Sequence, residues 1–238
     1  MKHALIFAAG LGERMRPLTD ATPKPLLRVG GKPLIEWHLE KLAAAGVHYV
    51  VINTSHLAEQ FPAALGDGAR WGLRIRYAYE GPTPLETGGG MLNALPLLGR
   101  EPFIALSADI VSDFDYARLP AEPAGLAHLV MVPNPPWHAA GDFVLDHGLL
   151  HEGRGPAAAQ DELPASGERL TFGNIGVYRP AFVQGQSPGR FKLLPLYQRA
   201  MRDRQLSGER YDGFWRNLGN PQQLAELDGE LRQREATR

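Results

Sequence analysis

Ala4-Leu5-Ile6-Phe7-Ala8-Ala9-Gly10-Leu11-Gly12-Glu13-Arg14-Met15-Arg16-Pro17-Leu18-Thr19, running on through Asp20 to Pro23-Lys24-Pro25-Leu26, is the stretch that decides both fold and chemistry. Ala4 to Phe7 make a short apolar run closed by glycine, the pattern of a buried strand. The run empties into a loop of two alanines and two glycines. So little side chain stands in the way that a ligand's phosphates can approach backbone N–H groups. Arg14, Arg16 and Lys24 then supply positive charge where such phosphates would lie. A lone Gly-x-Gly fits an ordinary turn equally well; the Arg and Pro-Lys-Pro continuation is what selects an anion site.

Two common phosphate loops do not fit. A Walker A loop needs Gly-Lys followed by Ser or Thr, and the one Gly-Lys, Gly31-Lys32, precedes Pro33. A dinucleotide fingerprint needs a third glycine inside a helix that starts at once, whereas Met15 stands there and two prolines follow. What remains is a long wrap-around loop whose cations can reach a triphosphate from more than one side.

Outward from this loop the pattern is strand, helix, strand, helix, strand, the signature of βαβ units. Leu34 to Ala45 carry Ile35, Leu39, Leu42 and Ala43 at helical spacing after Pro33, and His48 to Ile52 form a second apolar strand. A less regular helix is expected over 56–65, and an alternating strand from Leu73 to Tyr79. Glu80 to Gly90 reads as a loop ending in three glycines, with a helix from Met91 to Leu98. Phe103 to Ala108 reads as a fully buried strand with Asp109 at its C-terminal end, the edge where open α/β sheets bind ligands. Further strands are expected at 129–132, 171–178 and 214–219. Phe143-Val144-Leu145 and Leu149-Leu150-His151 should form a hairpin around Asp146-His147-Gly148. Helices are expected over 191–205 and after Asn220-Pro221, and a Gly-, Ala- and Pro-rich surface loop over 153–167.

Composition narrows the partners. At 238 residues with 44% hydrophobic content the chain can bury a sizeable core. With 25 basic against 26 acidic residues, net −1, it has no electrostatic footprint for nucleic acid or an anionic membrane, so any bound anion must be met by local cations. Lys2 and the following apolar run are too short for a secretion signal. The absence of cysteine rules out disulfides and thiolate metal sites and fits a cytoplasmic protein. His147 and His151 flank a turn without helical spacing or a third ligand, a poor metal pair.

Ala-Ala-Gly-x-Gly-x-Arg-x-x-Pro-Leu-Thr followed by Pro-Lys-Pro-Leu resembles the signature of the sugar-1-phosphate nucleotidyltransferases, and the resemblance extends over the whole chain. Leu85-Glu86-Thr87-Gly88-Gly89-Gly90, Asp142-Phe143 and Phe191-Lys192-Leu193 resemble one branch, the N-acetylmuramate-1-phosphate uridylyltransferases of peptidoglycan recycling. The resemblance implies an α/β fold: one Rossmann-like nucleotide-diphospho-sugar transferase domain with a mixed, mostly parallel sheet flanked by helices. Residues 1–110 would be its nucleotide-binding half and 111–238 its sugar-binding half. It implies that Ala8, Ala9, Gly10 and Gly88 hold the base through backbone contacts. Gly10, Leu11, Gly12, Glu13 and Arg14 would form the triphosphate loop, and Lys24 would bridge to the α-phosphate. Asp109 would bind Mg²⁺, and Asp142, Asn174 and Lys192 would lie near the sugar or its phosphate. The family's second metal-binding Asp sits in a Trp-x-Asp-x-Gly setting; here the matching residue is Asn217, whose amide oxygen can still coordinate Mg²⁺.

The implied reaction is attack of a sugar-1-phosphate oxygen on the α-phosphorus of a nucleoside triphosphate, with pyrophosphate leaving. Small-molecule substrates and a monomer or weak homodimer are expected. Glucose-1-phosphate, mannose-1-phosphate or phosphocholine remain alternative acceptors. A catalytically weak nucleotide-sugar-binding regulatory protein also remains, for which Asn217 is the sequence argument.

Overall fold

The computed structural model describes residues 1–152 and 166–236. β1 (His3–Phe7) leads into the glycine loop, then α1 (Leu18–Ala21) and a small ladder of β2 (Arg28–Val29) with β3 (Lys32–Pro33). Next come α2 (Leu34–Ala44), β4 (Tyr49–Thr54), α3 (Gln60–Leu65), β5 (Arg74–Tyr79), α4 (Glu86–Leu98) and β6 (Phe103–Ser107). The second half carries β7 (Ile110–Ser112), β8 (Ala127–Val132), β9 (Phe143–Asp146), β10 (Leu149–Glu152), β11 (Glu168–Tyr178), α5 (Leu194–Arg202), β12 (Leu206–Arg210), β13 (Trp215–Asn217) and α6 (Pro221–Ala236).

Nine strands form one sheet in the order β5-β4-β1-β6-β11-β8-β12-β10-β9, and β9 also pairs with β11, so the last five close on themselves. β5, β4, β1 and β6 are mutually parallel. The sheet is mixed: β10 and β11 run against the other seven strands. β1 buries Ala4 and Ile6 in a core with α2 and α3, and Leu5 in a second core with α4 and α5. Both faces are covered, which is why the run reads as continuously apolar rather than alternating. α6 packs Leu227 and Leu231 against Val29, Leu34 and Val111 in a third cluster.

Three expectations are corrected. Gly88, Gly89 and Gly90 are not loop but lie buried in the first turns of α4. A Cβ at Gly88 would come within 2.4 Å of the Phe191 ring, and one at Gly89 within 2.2 Å of the Gly189 carbonyl. Close approach of a distant segment, which admits only glycine, overrides the poor helix propensity of these residues. That segment also shortens the expected 191–205 helix. Phe191 and Leu193 donate to the Leu85 carbonyl (3.1 Å) and Thr87 Oγ1 (3.2 Å), and α5 starts only at Leu194. The helix also ends early, at Arg202, and the strand β12, parallel to β8, follows from Leu206. The helix expected over 56–65 begins at Gln60, with Pro62 in its first turn, where its missing N–H costs nothing.

The hairpin forms as expected, Leu145 opposite Leu150. Asn220 Oδ1 caps α6 by accepting from Gln223 N–H at 2.9 Å. The surface loop expected over 153–167 lies, save its last two residues, outside the described residues. No described helix is long and apolar enough to cross a membrane.

Candidate active site

Two cavities of about 600 and 470 Å³ open at the C-terminal ends of the parallel strands. They share Phe7, Glu86, Thr87 and Ser107, so they are two lobes of one cleft. The first lobe is lined by Ala8, Ala9, Gly10, Leu11, Gly12, Glu13 and Arg14, and by Lys24 and Asp109. Gly10 is exposed, and a Cβ there would meet nothing within 4 Å, so its backbone faces the open cleft. Gly12 has φ +65° and packs on Thr19, whose hydroxyl donates to the Gly12 carbonyl at 2.8 Å. The loop is thereby bent by contacts behind it, and its open side is left to the cavity.

A buried polar chain anchors the loop's start. Ala8 N–H donates to Asn53 Oδ1 (2.6 Å), Asn53 Nδ2 donates to Glu80 Oε1 (2.6 Å), and Leu85 N–H donates to Glu80 Oε2 (2.7 Å). Burial pushes the Glu80 carboxyl above its usual range, against the pull of the bonds from Leu85 and Asn53. Three strand ends, β1, β4 and β5, are locked together beside the lobe. Asn53 and Glu80 each stand at the end of a strand, which is the sequence signal for them, but their partnership is a tertiary fact.

Lys24 and Asp109 meet at the lobe's inner edge, Nζ donating to Oδ2 at 2.6 Å with the lysine side chain only 12% exposed. β13 runs beside them: Asn217 pairs with Ile110 in the β7–β13 ladder, and Leu218 N–H donates to the Asp109 carbonyl at 2.8 Å. Asn217 Oδ1 is buried and has no hydrogen-bond partner among the described residues. An unpaired buried acceptor is costly, and an amide oxygen near a carboxylate suits a small hard cation. Among the described residues no group of three or more His, Cys, Asp or Glu could hold a metal. Any cation here would have to take its other ligands from water or substrate.

The second lobe gathers Asp142, Asn174, Lys192 and Asn217 with Trp137, His138 and a largely aromatic wall. Asp142 is held from both sides: Oδ2 accepts from Phe172 N–H (2.8 Å), and Oδ1 lies 3.0 Å from His138 Nε2. Asn174 has φ +57° and sits where the β8–β11 register shifts. That bulge turns a strand residue toward the lobe. Tyr178 and Tyr197, hydroxyls 2.6 Å apart, are both buried, and burial raises both phenols above their ordinary range.

Of the residues expected at the site, Gly88 is the one that lines neither lobe. Its N–H donates to the Phe191 carbonyl at 2.9 Å, and Phe191 covers it. Arg16 lies outside as well, paired with Asp20 at 3.3 Å on the surface. Arg14 lies against Gly219, where a Cβ would stand 3.4 Å from its guanidinium.

The nucleotidyl transferase family model matches residues 3–143, which takes in the glycine loop, Lys24, Asp109 and Asp142. The chain belongs to this family. It is 43% identical to the N-acetylmuramate alpha-1-phosphate uridylyltransferase of Neisseria meningitidis serogroup B over 94% of this chain and 95% of that one. It is 33% identical to the enzyme of the same name from Caulobacter vibrioides, over 99% and 98% of the two chains. A Bacillus anthracis protein crystallised in complex with sucrose shares the fold: TM-score 0.79 at 17% identity, covering 98% of this chain and 96% of that one.

The Ala8–Asn53–Glu80 chain gives a direct test. Asn53→Leu should leave the Ala8 N–H and Glu80 Oε1 without their partners, lowering the melting temperature by roughly 5–10 °C, as expected for a loss of about 2–3 kcal/mol. Thermal unfolding followed by circular dichroism measures it; an unchanged melting temperature would show that the chain does not hold the strand ends together.

Proposed function

We propose that the protein joins N-acetylmuramate 1-phosphate to uridine triphosphate, giving UDP-N-acetylmuramate and pyrophosphate. The observation that carries the reading is the two-lobed cleft itself, a backbone-lined lobe with Arg14 and Lys24 joined to a side-chain-rich lobe with Asp142, Asn174 and Lys192. The choice of sugar and base is supported by the two full-length relatives.

In this reading the triphosphate lies along Gly10 to Arg14 in the first lobe, and the sugar phosphate enters the second beside Lys192. A phosphate oxygen of the sugar forms a bond to the α-phosphorus as the bond from that phosphorus to the bridging oxygen breaks, and the electron pair leaves with pyrophosphate. The nucleophile is already an anion at neutral pH, so no side chain need remove a proton. The barrier is the approach of two anions, which fixed cations lower by positioning and electrostatic stabilisation. Lys24 serves the α-phosphate, Arg14 the leaving phosphates and Lys192 the incoming one. Asp109 and Asn217 would hold Mg²⁺, which when bound neutralises phosphate charge and polarises the phosphoryl oxygens.

Pyrophosphate release from UTP and Mg²⁺ with a panel of acceptors tests the reaction. N-acetylmuramate 1-phosphate should exceed glucose-1-phosphate, mannose-1-phosphate and phosphocholine in kcat/KM by ~10² or more, the scale on which pockets with directed polar groups discriminate. A better rate with another acceptor would overturn the sugar assignment, and no turnover with any would leave a regulatory binding protein.

Asn217 gives a second test, read without turnover. Asn217→Asp adds a carboxylate and should lower the Mg²⁺ concentration that half-saturates UTP binding by about tenfold, measured calorimetrically without sugar. An unchanged midpoint would remove Asn217 from the metal's ligands.

A further inference from the structure

Trp137 is 56% exposed, although it lines the second lobe, where Phe143, Tyr178, Tyr197 and Trp215 are all buried. Its ring lies over that of Trp215, centroids 6.4 Å apart and planes within 25°. Trp215 is in turn fixed by its Nε1 donating to the Gly173 carbonyl at 2.9 Å. Trp137 therefore rests on a rigid aromatic floor.

The loop that carries it is equally fixed. Trp137 sits in a single helical turn, Pro136–His138, preceded by Pro135, and His138 N–H donates to the Pro135 carbonyl at 2.8 Å. Asn134 braces the loop against β11: its amide donates to the Arg169 carbonyl (3.0 Å), and its oxygen accepts from Thr171 Oγ1 (2.9 Å). His138, the next residue, holds Asp142. A large apolar surface is thus displayed in a polar cleft by a loop with little freedom to withdraw it. Such exposure points to a ligand face.

We propose that Trp137 is the specificity-determining platform on which the pyranose ring of the sugar phosphate lies. A pyranose has a face rich in polarised C–H bonds and an edge of hydroxyls. The indole face, negative through its quadrupole, attracts the first. Asp142 and Asn174, in the same lobe, suit the second, and Lys192 suits the phosphate. The platform would select pyranose chairs that present a C–H-rich face before any hydroxyl is read. This rests on the nucleotidyl-transfer reading above.

Binding of UDP-N-acetylmuramic acid and of UTP, both by calorimetry, separates the two ideas. Trp137→Ala should weaken UDP-N-acetylmuramic acid about tenfold while UTP binds within twofold of the wild type; Trp137→Phe, which keeps a flat ring, should recover most of the loss, and Trp137→Leu, apolar but not flat, should not. The KM for the sugar phosphate should rise with the same pattern and the KM for UTP should not. Equal UDP-N-acetylmuramic acid affinity in Trp137→Ala and wild type would overturn the platform while leaving the function standing. So would an equal loss for UTP, or a lowered melting temperature accounting for the loss in all three variants. Wild-type protein that binds no UDP-sugar would overturn the function and the platform with it.

Discussion

Lys24 donating to Asp109 across 2.6 Å is the contact on which the rest of the site depends. It ties the far limb of the glycine loop to the end of β6, 85 residues later in the chain. Three supports converge there. Pro23 and Pro25 flank Lys24 and stiffen its turn. Ala108 N–H donates to the Phe7 carbonyl at 3.0 Å, aligning the ends of β1 and β6, and Leu218 N–H, just past β13, donates to the Asp109 carbonyl. A partly buried ion pair contributes little net stability beyond what its desolvation costs, but removal of one partner leaves a charge unpaired. Its value here is geometric: it sets a cation and a carboxylate side by side in the wall of the first lobe.

The two lobes differ in how they can recognise anything. The first presents backbone along the glycine loop, anchored through Asn53 and Glu80, so side chains contribute little to discrimination along that wall. The second presents side chains, each positioned by a neighbour: Asp142 by His138 and Phe172, Asn174 by a bulge in β11, Trp137 by Trp215. The segment through Gly189 and Phe191 crosses between them, with Arg190 lining the first lobe and Lys192 the second. Glycines 88 and 89 exist to let that segment lie flat on α4.

What was legible in the sequence was local. The glycine loop, the helix after Pro33, the hairpin at 146–148 and Asp109 at a strand end all follow from short-range pattern, and the structure places them as expected. Gly88 to Gly90 read as a loop because glycine disfavours helices; the close approach of Phe191, Gly189 and the Asn53–Glu80 pair explains why glycines occupy these helical positions. Leu206 to Arg210 carry a weak strand signal of their own and become β12 because β8 offers an unpaired edge. The Asn53–Glu80 chain and the Trp137–Trp215 stack join residues 27 and 78 positions apart, a distance at which no spacing rule operates.

In the proposed nucleotidyl transfer Lys24 and Asp109 would act as one unit, and a double-mutant cycle on kcat measures whether they do. Lys24→Met and Asp109→Asn should each cost ~10²–10³, and the double variant scarcely more than the worse single one, as for residues that work through each other. Losses that multiply in the double variant would mean that the two side chains serve the reaction separately.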